Sequence, residues 1–65
     1  MILQSGKRLV MENCRKVIYC GPERIILLGS IRLAVTGKAL RLMELGNDNV
    51  EIRGVIRTVT LGEEQ

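Results

Sequence analysis

Histidine, phenylalanine and tryptophan are absent from this chain of 65 residues, and proline and tyrosine occur once each, as Pro22 and Tyr19. Without histidine no Ser–His–Asp or Cys–His arrangement can form, and general acid–base chemistry would fall to carboxylates. These are Glu12, Glu23, Glu44, Asp48, Glu51, Glu63 and Glu64. Most fall in expected turns, on expected solvent faces or in the tail, and none pairs convincingly with another. A zinc site needs about four ligands, and Cys14 and Cys20 are too few. The glycines are too widely spaced for a GxGxxG or P-loop phosphate cradle. The sequence therefore predicts no catalytic, metal or cofactor site, and no enzyme.

The shortage of rings also bears on packing. A chain this short is one domain at most, and it buries only about 60% of the surface its unfolded form exposes. With Tyr19 as the only ring, the core must be built from Ile, Leu, Val and Met, without the large area that aromatic side chains bury. Thin sheets that cover each other, or a second copy of the chain, suit that composition. A homo-oligomer is expected, with a dimer first.

No run approaches the ~18 apolar residues of a membrane span; the longest aliphatic stretch is Ile25-Ile26-Leu27-Leu28. The first eight residues lack the basic-then-apolar order of a secretory signal. Ten basic and seven acidic residues leave a net charge of +3. That balance is compatible with peripheral contact to an anionic membrane. It falls short of the dense basic stripe of a dedicated nucleic-acid binder, and the aromatic platforms that single-stranded RNA readers interleave with basic residues are missing. Nucleic acid is not expected as a partner. If residues 15–20 form a strand, Cys14 and Cys20 lie about 20 Å apart, whereas a disulfide needs Cα atoms within about 7 Å. Free, buried or half-buried thiols in a reducing cytoplasm are expected.

What is present in quantity is strand chemistry. Ile, Val and Thr are frequent, and glycines punctuate the chain at Gly6, Gly21, Gly29, Gly37, Gly46, Gly54 and Gly62, leaving segments of strand length between them. The pattern predicts strands over 8–13 and 15–20, separated by a tight reversal near Asn13 and Cys14. A third, over 24–28, is apolar on both faces and so central or sandwiched. Gly29-Ser30 reads as a Gly-X hairpin turn. The fourth, over 31–36, alternates, with Ile31, Leu33 and Val35 on one face.

After Gly37 the apolar phase changes to Leu40 and Leu42, and after Gly54 it changes again to Val55, Val59 and Leu61. A one-residue slip moves a strand's apolar set to the other face, so Gly37 and Gly54 are read as bulges or bends. They also close a short internal repeat, Leu33-Ala34-Val35-Thr36-Gly37 against Val50-Glu51-Ile52-Arg53-Gly54. Gly46-Asn47-Asp48-Asn49 is the strongest turn signal. Residues 38–45 could form a short helix, but glycines on both sides favour strand. The expected fold is all-β: a single domain, 1–65, in a small, strongly bent antiparallel sheet or sandwich of about five to seven short strands, completed by a second chain. Residues 1–5 and 62–65 are expected to fray. The expected self-association face is Ile31, Leu33, Val35, Leu40 and Leu42.

From residue 6 to residue 61 the chain resembles the YabP/YqfC family of bacterial sporulation proteins. The resemblance is carried by Gly6-Lys7-Arg8-Leu9-Val10-Met11-Glu12-Asn13, Val17-Ile18-Tyr19 and Pro22-Glu23-Arg24-Ile25. It continues through Leu33-Ala34-Val35-Thr36-Gly37-Lys38-Ala39-Leu40-Arg41-Leu42 and Val50-Glu51-Ile52-Arg53-Gly54-Val55-Ile56-Arg57-Thr58-Val59. It implies a small β-rich, non-enzymatic protein made during endospore formation. Such a protein would work by self-association and by recruiting other sporulation proteins, in the cytoplasm of the sporulating cell or at the developing spore surface. A second resemblance is narrower. Val50-Glu51-Ile52-Arg53-Gly54-Val55-Ile56 looks like the second signature of Sm-like RNA-binding ring proteins, with Gly29 and Gly37 in place of glycines of the first. The acidic residue and asparagine that would hold an RNA base have no counterparts around 41–45, and the N-terminal helix of that fold is not evident.

Overall fold

Turn chemistry sets the strand boundaries. In the computed structural model, which describes residues 2–63, six strands form one antiparallel sheet. They are β1 (Ile2–Gln4), β2 (Arg8–Met11), β3 (Lys16–Cys20), β4 (Arg24–Leu28), β5 (Ile31–Gly46) and β6 (Asn49–Glu63). Their order across the sheet is β1-β2-β6-β5-β4-β3. No helix occurs among the described residues, and 38–45 is strand. The all-β expectation holds.

The long hairpin of β5 and β6 organises everything else. Asn47 and Asp48 form its two-residue loop, both with positive φ (54° and 62°), as type I′ hairpins require. Sixteen residues of β5 would span about 53 Å if straight, yet the molecule measures 26 × 24 × 18 Å. The strand has to bend, and the bend falls where the apolar phase changes. Register shifts occur at Thr36/Gly37 and Lys38/Arg41, with Ala39 at φ 52°. Opposite, Gly54 has φ 135°. A Cβ on Gly37 would sit 1.8 Å from the Val55 carbonyl oxygen, and one on Gly54 would sit 2.6 Å from that of Ala39. Each glycine lets the other strand's backbone through, which accounts for the internal repeat: both long strands break after the repeated segment.

Backbone groups exposed by the bend find partners in the neighbouring loops. The amides of Gly37 and Leu40 donate to the Glu23 and Pro22 carbonyls, and those of Gly54 and Ile56 donate to Lys7 and Gly6. The sheet thereby folds over itself into two layers that share β5 and β6. One layer carries Ile25, Leu27, Leu33 and Val35 inward, the other Leu9, Met11, Val50 and Ile52. Leu40 joins them from the bend and Cys14 from the segment after β2, making one core. The radius of gyration of 10.4 Å is that of a compact domain of this length, about 11 Å.

Several details depart from the sequence reading. The reversal near Asn13, where φ is 59°, does not pair β2 with β3. β2 pairs with β1 and β6, and β3 pairs with β4, because the segment 12–15 crosses between the layers. It is tied down by hydrogen bonds from the Cys14 amide to the Asp48 carbonyl and from the Arg15 amide to that of Leu28. No ladder joins β3 to β1 or β2, and the sheet stays unclosed. Gly29 is not in a positive-φ turn. It is needed because a Cβ there would meet the Asn13 carbonyl oxygen at 2.6 Å. The ends expected to fray are paired: Ile2–Gln4 lies along β2, and Gly62 and Glu63 lie opposite Arg32 and Ile31. The expectation for Met1, Glu64 and Gln65 lies outside the described residues.

Candidate functional site

The strand face expected to mediate self-association is occupied from within. Leu33 and Val35 are wholly buried and Leu40 nearly so, while Ile31 and Leu42 are half-buried, with Leu42 packed against the core. The bend at Gly37 and Gly54 brings the chain's own second layer over this face, so a second copy is not required to cover it. Alternation in sequence marks an apolar face but not the identity of what covers it.

The large apolar side chains exposed among the described residues are elsewhere: Val17, Ile18 and Tyr19 on β3, Met43 and Leu45 near the β5–β6 hairpin tip, Val55 after the bend, and Leu61. β3 is the clearest case. It is an edge strand with every residue exposed, and Ile18 sits in a bulge between the Val17–Leu27 and Tyr19–Ile26 pairs. The row Val17, Leu27, Leu33, Leu61 crosses four strands in register. Its two middle members are fully buried, and its two ends are 41% and 57% exposed. Tyr19 is braced by the Arg24 guanidinium, 5.1 Å from the ring centre, a cation–π distance.

The second feature is electrostatic. Glu51, on the outer face of β6, is only 2% exposed and is held by two arginines. Arg8 Nε on β2 donates to Oε1, and Arg53 Nε on β6 donates to Oε2 at 3.0 Å. The Arg8 hydrogen bond is the main reason the Glu51 carboxyl titrates below the usual glutamate value. The bond from Arg53 and the charges of both guanidiniums act in the same direction, against the desolvation that would raise it. Arg8 pairs across the ladder with Arg53, and Arg53 with Arg41 on β5, so three arginines form one row across three adjacent strands. In the sequence Arg8, Arg41 and Arg53 stand far apart and form no dense basic stripe. The Glu-x-Arg spacing at 51–53 places two of the groups on one strand face, but the Arg8 contact spans 43 residues and has no local signal.

A cleft of about 440 Å³ lies where the crossing segment meets the hairpin tip, lined by Cys14, Arg15, Lys16, Glu44 and Asp48 among others. Charges of both signs line it. Among the described residues no group of His, Cys, Asp and Glu could hold a metal ion. Cys14 and Cys20 are both free thiols, Cys14 buried and Cys20 exposed, so the expectation of shielded thiols holds for Cys14 only. No helix among the described residues is long and apolar enough to cross a membrane. The chain matches no family model, no curated protein and no solved structure.

Proposed function

We propose that this protein is a non-enzymatic assembly module of endospore formation, acting by self-association and by recruiting other sporulation proteins. The process is argued from the ordered YabP/YqfC-like residues over 6–61. The mode of action rests on one observation: β3 is an unpaired edge with three consecutive exposed apolar residues, Val17, Ile18 and Tyr19. Open apolar edges template pairing with another chain; β3 carries Lys16 and a bulge at Ile18, which blunt an edge, but between Val17 and Tyr19 it presents no charge. A dimer made through β3 would add strands to the sheet and cover these side chains. The reading places the protein in the cytoplasm of the sporulating cell, recruited by partners to the developing spore.

An Sm-like, ring-forming RNA-binding module is the second reading, favoured by the strong bend of two long strands at Gly37 and Gly54. It is weakened by the placement of the only ring, Tyr19, on the edge strand beneath Arg24.

The sporulation reading is tested in the organism that encodes the chain. Abundance should rise on entry into sporulation, and deletion should lower the yield of heat-resistant spores without slowing vegetative growth. Constant expression together with a normal spore yield contradicts it.

A further inference from the structure

The arginine row on the outer face of β2, β6 and β5 has the features of an anion-binding surface. Arg8, Arg53 and Arg41 stand side by side in register, and neighbouring strands are about 4.8 Å apart, so the row spans roughly 10 Å. All three side chains are exposed. Glu51 fixes two of them from below through their Nε hydrogens. Two guanidiniums carry ten N–H donors, while a carboxylate accepts at about four positions, so donors remain for an outside group. Arg41 has no ion-pair partner among the described residues. The row therefore holds excess positive charge on a pre-ordered support, which lowers the entropy lost on binding.

Guanidiniums recognise phosphates and carboxylates through paired hydrogen bonds. Two observations favour phosphate at a lipid surface. The arginines lie across a sheet face, matched to a planar array of charges. Met43 pairs with Glu51 on that same face and is 40% exposed, and Leu45 beyond it is 48% exposed, supplying apolar contacts beside the cations as interfacial segments do. Nucleic acid would call for a stacking platform, and Tyr19 lies on β3, at the far edge of the sheet order from β2. We infer that the face formed by Arg8, Arg53, Arg41 and Met43 binds the phosphates of an anionic phospholipid surface. This inference is independent of the sporulation reading.

The test is co-sedimentation of the full chain with vesicles of phosphatidylcholine alone or mixed equally with phosphatidylglycerol. Binding is expected only to the mixed vesicles, weakening as salt rises. Arg41→Glu should reduce partitioning about thirty-fold, since each basic residue near an anionic surface contributes about fivefold in affinity and charge reversal counts twice. Arg32→Glu, the same charge change in the other layer, should cost no more than about threefold once salt screens distant charges. Circular dichroism and thermal melts should be unchanged in Arg41→Glu. Equal losses in both variants, or equal binding to neutral vesicles, overturn the proposal. So does inorganic phosphate binding to the row without vesicle binding. Arg41-dependent binding of a short single-stranded RNA in place of vesicles would replace the lipid with nucleic acid.

Discussion

Glu51 is a carboxylate on the solvent side of a strand that water barely reaches, because two arginines close over it. A buried charge is tolerated when it is paired and hydrogen-bonded, and here both oxygens have a donor. Its carboxyl is held below the usual glutamate value, first by Arg8. A carboxylate with a depressed folded pKa adds stability above its unfolded pKa, and that stability is lost as pH falls through the folded value. Replacing it as Glu51→Gln should destabilise the fold near neutral pH and flatten its loss of stability on acidification, the two proteins converging in acid. Urea unfolding at a series of pH values checks this; parallel curves for the two proteins contradict it. None of this arrangement was legible beforehand except the Glu51-x-Arg53 spacing. The third member comes from the other end of the chain, and its position depends on a β2–β6 ladder that local pattern does not specify.

The bend in β5 and β6 was legible, and for a physical reason. Side chains alternate along a strand with period two, so a change of apolar phase at a residue without Cβ marks a break in that alternation. Gly37 and Gly54 both sit at such changes, and the register shifts and close backbone approaches fall there. What alternation could not convey was the consequence. Leu33, Val35 and Leu40 met the criteria for an intermolecular face, yet the bend brings Leu9 and Ile52 of the same chain into the core with them. The pairing of residues 2–4 and 62–63 and the β2–β3 connection are not legible for a related reason: strand pairing is non-local, and nothing local shows whether a ladder reaches a terminus. Gly37→Ala should cost about 3 kcal/mol, the upper end of overpacking costs, because its Cβ would meet the Val55 carbonyl oxygen at 1.8 Å. Gly62→Ala lies in the same hairpin with nothing within 4 Å of the new Cβ. It should be neutral or stabilise by about 0.5 kcal/mol through the unfolded state. Thermal melts of the two variants distinguish them; equal shifts would mean that the bend does not depend on Gly37.

At the scale of the molecule, the two layers complete a core without help, and the surface keeps two unlike regions. The arginine row lies on the β2–β6–β5 layer, and the apolar open edge lies on β3. A small domain that buries a modest share of its surface gains from a partner, and the β3 edge offers both backbone hydrogen bonds and apolar area for one. The composition points to a second copy for want of aromatic rings. The fold moves the expected contact from the 31–42 face to Val17, Ile18 and Tyr19. Placing a further charge in the apolar part of that edge, beside Lys16, should separate the proposed dimer while leaving the core of Leu33, Val35 and Ile52 intact.

The measurement that tests this account most directly is mass in solution by light scattering, for the wild-type chain and for Ile18→Lys, each with and without a short single-stranded RNA. The account predicts a wild-type dimer indifferent to RNA and a folded Ile18→Lys monomer. A wild-type monomer, or a dimer unchanged by Ile18→Lys, would contradict assembly through β3. A hexameric or heptameric wild-type ring that binds RNA with salt-sensitive affinity would replace the assembly module with the Sm-like reading.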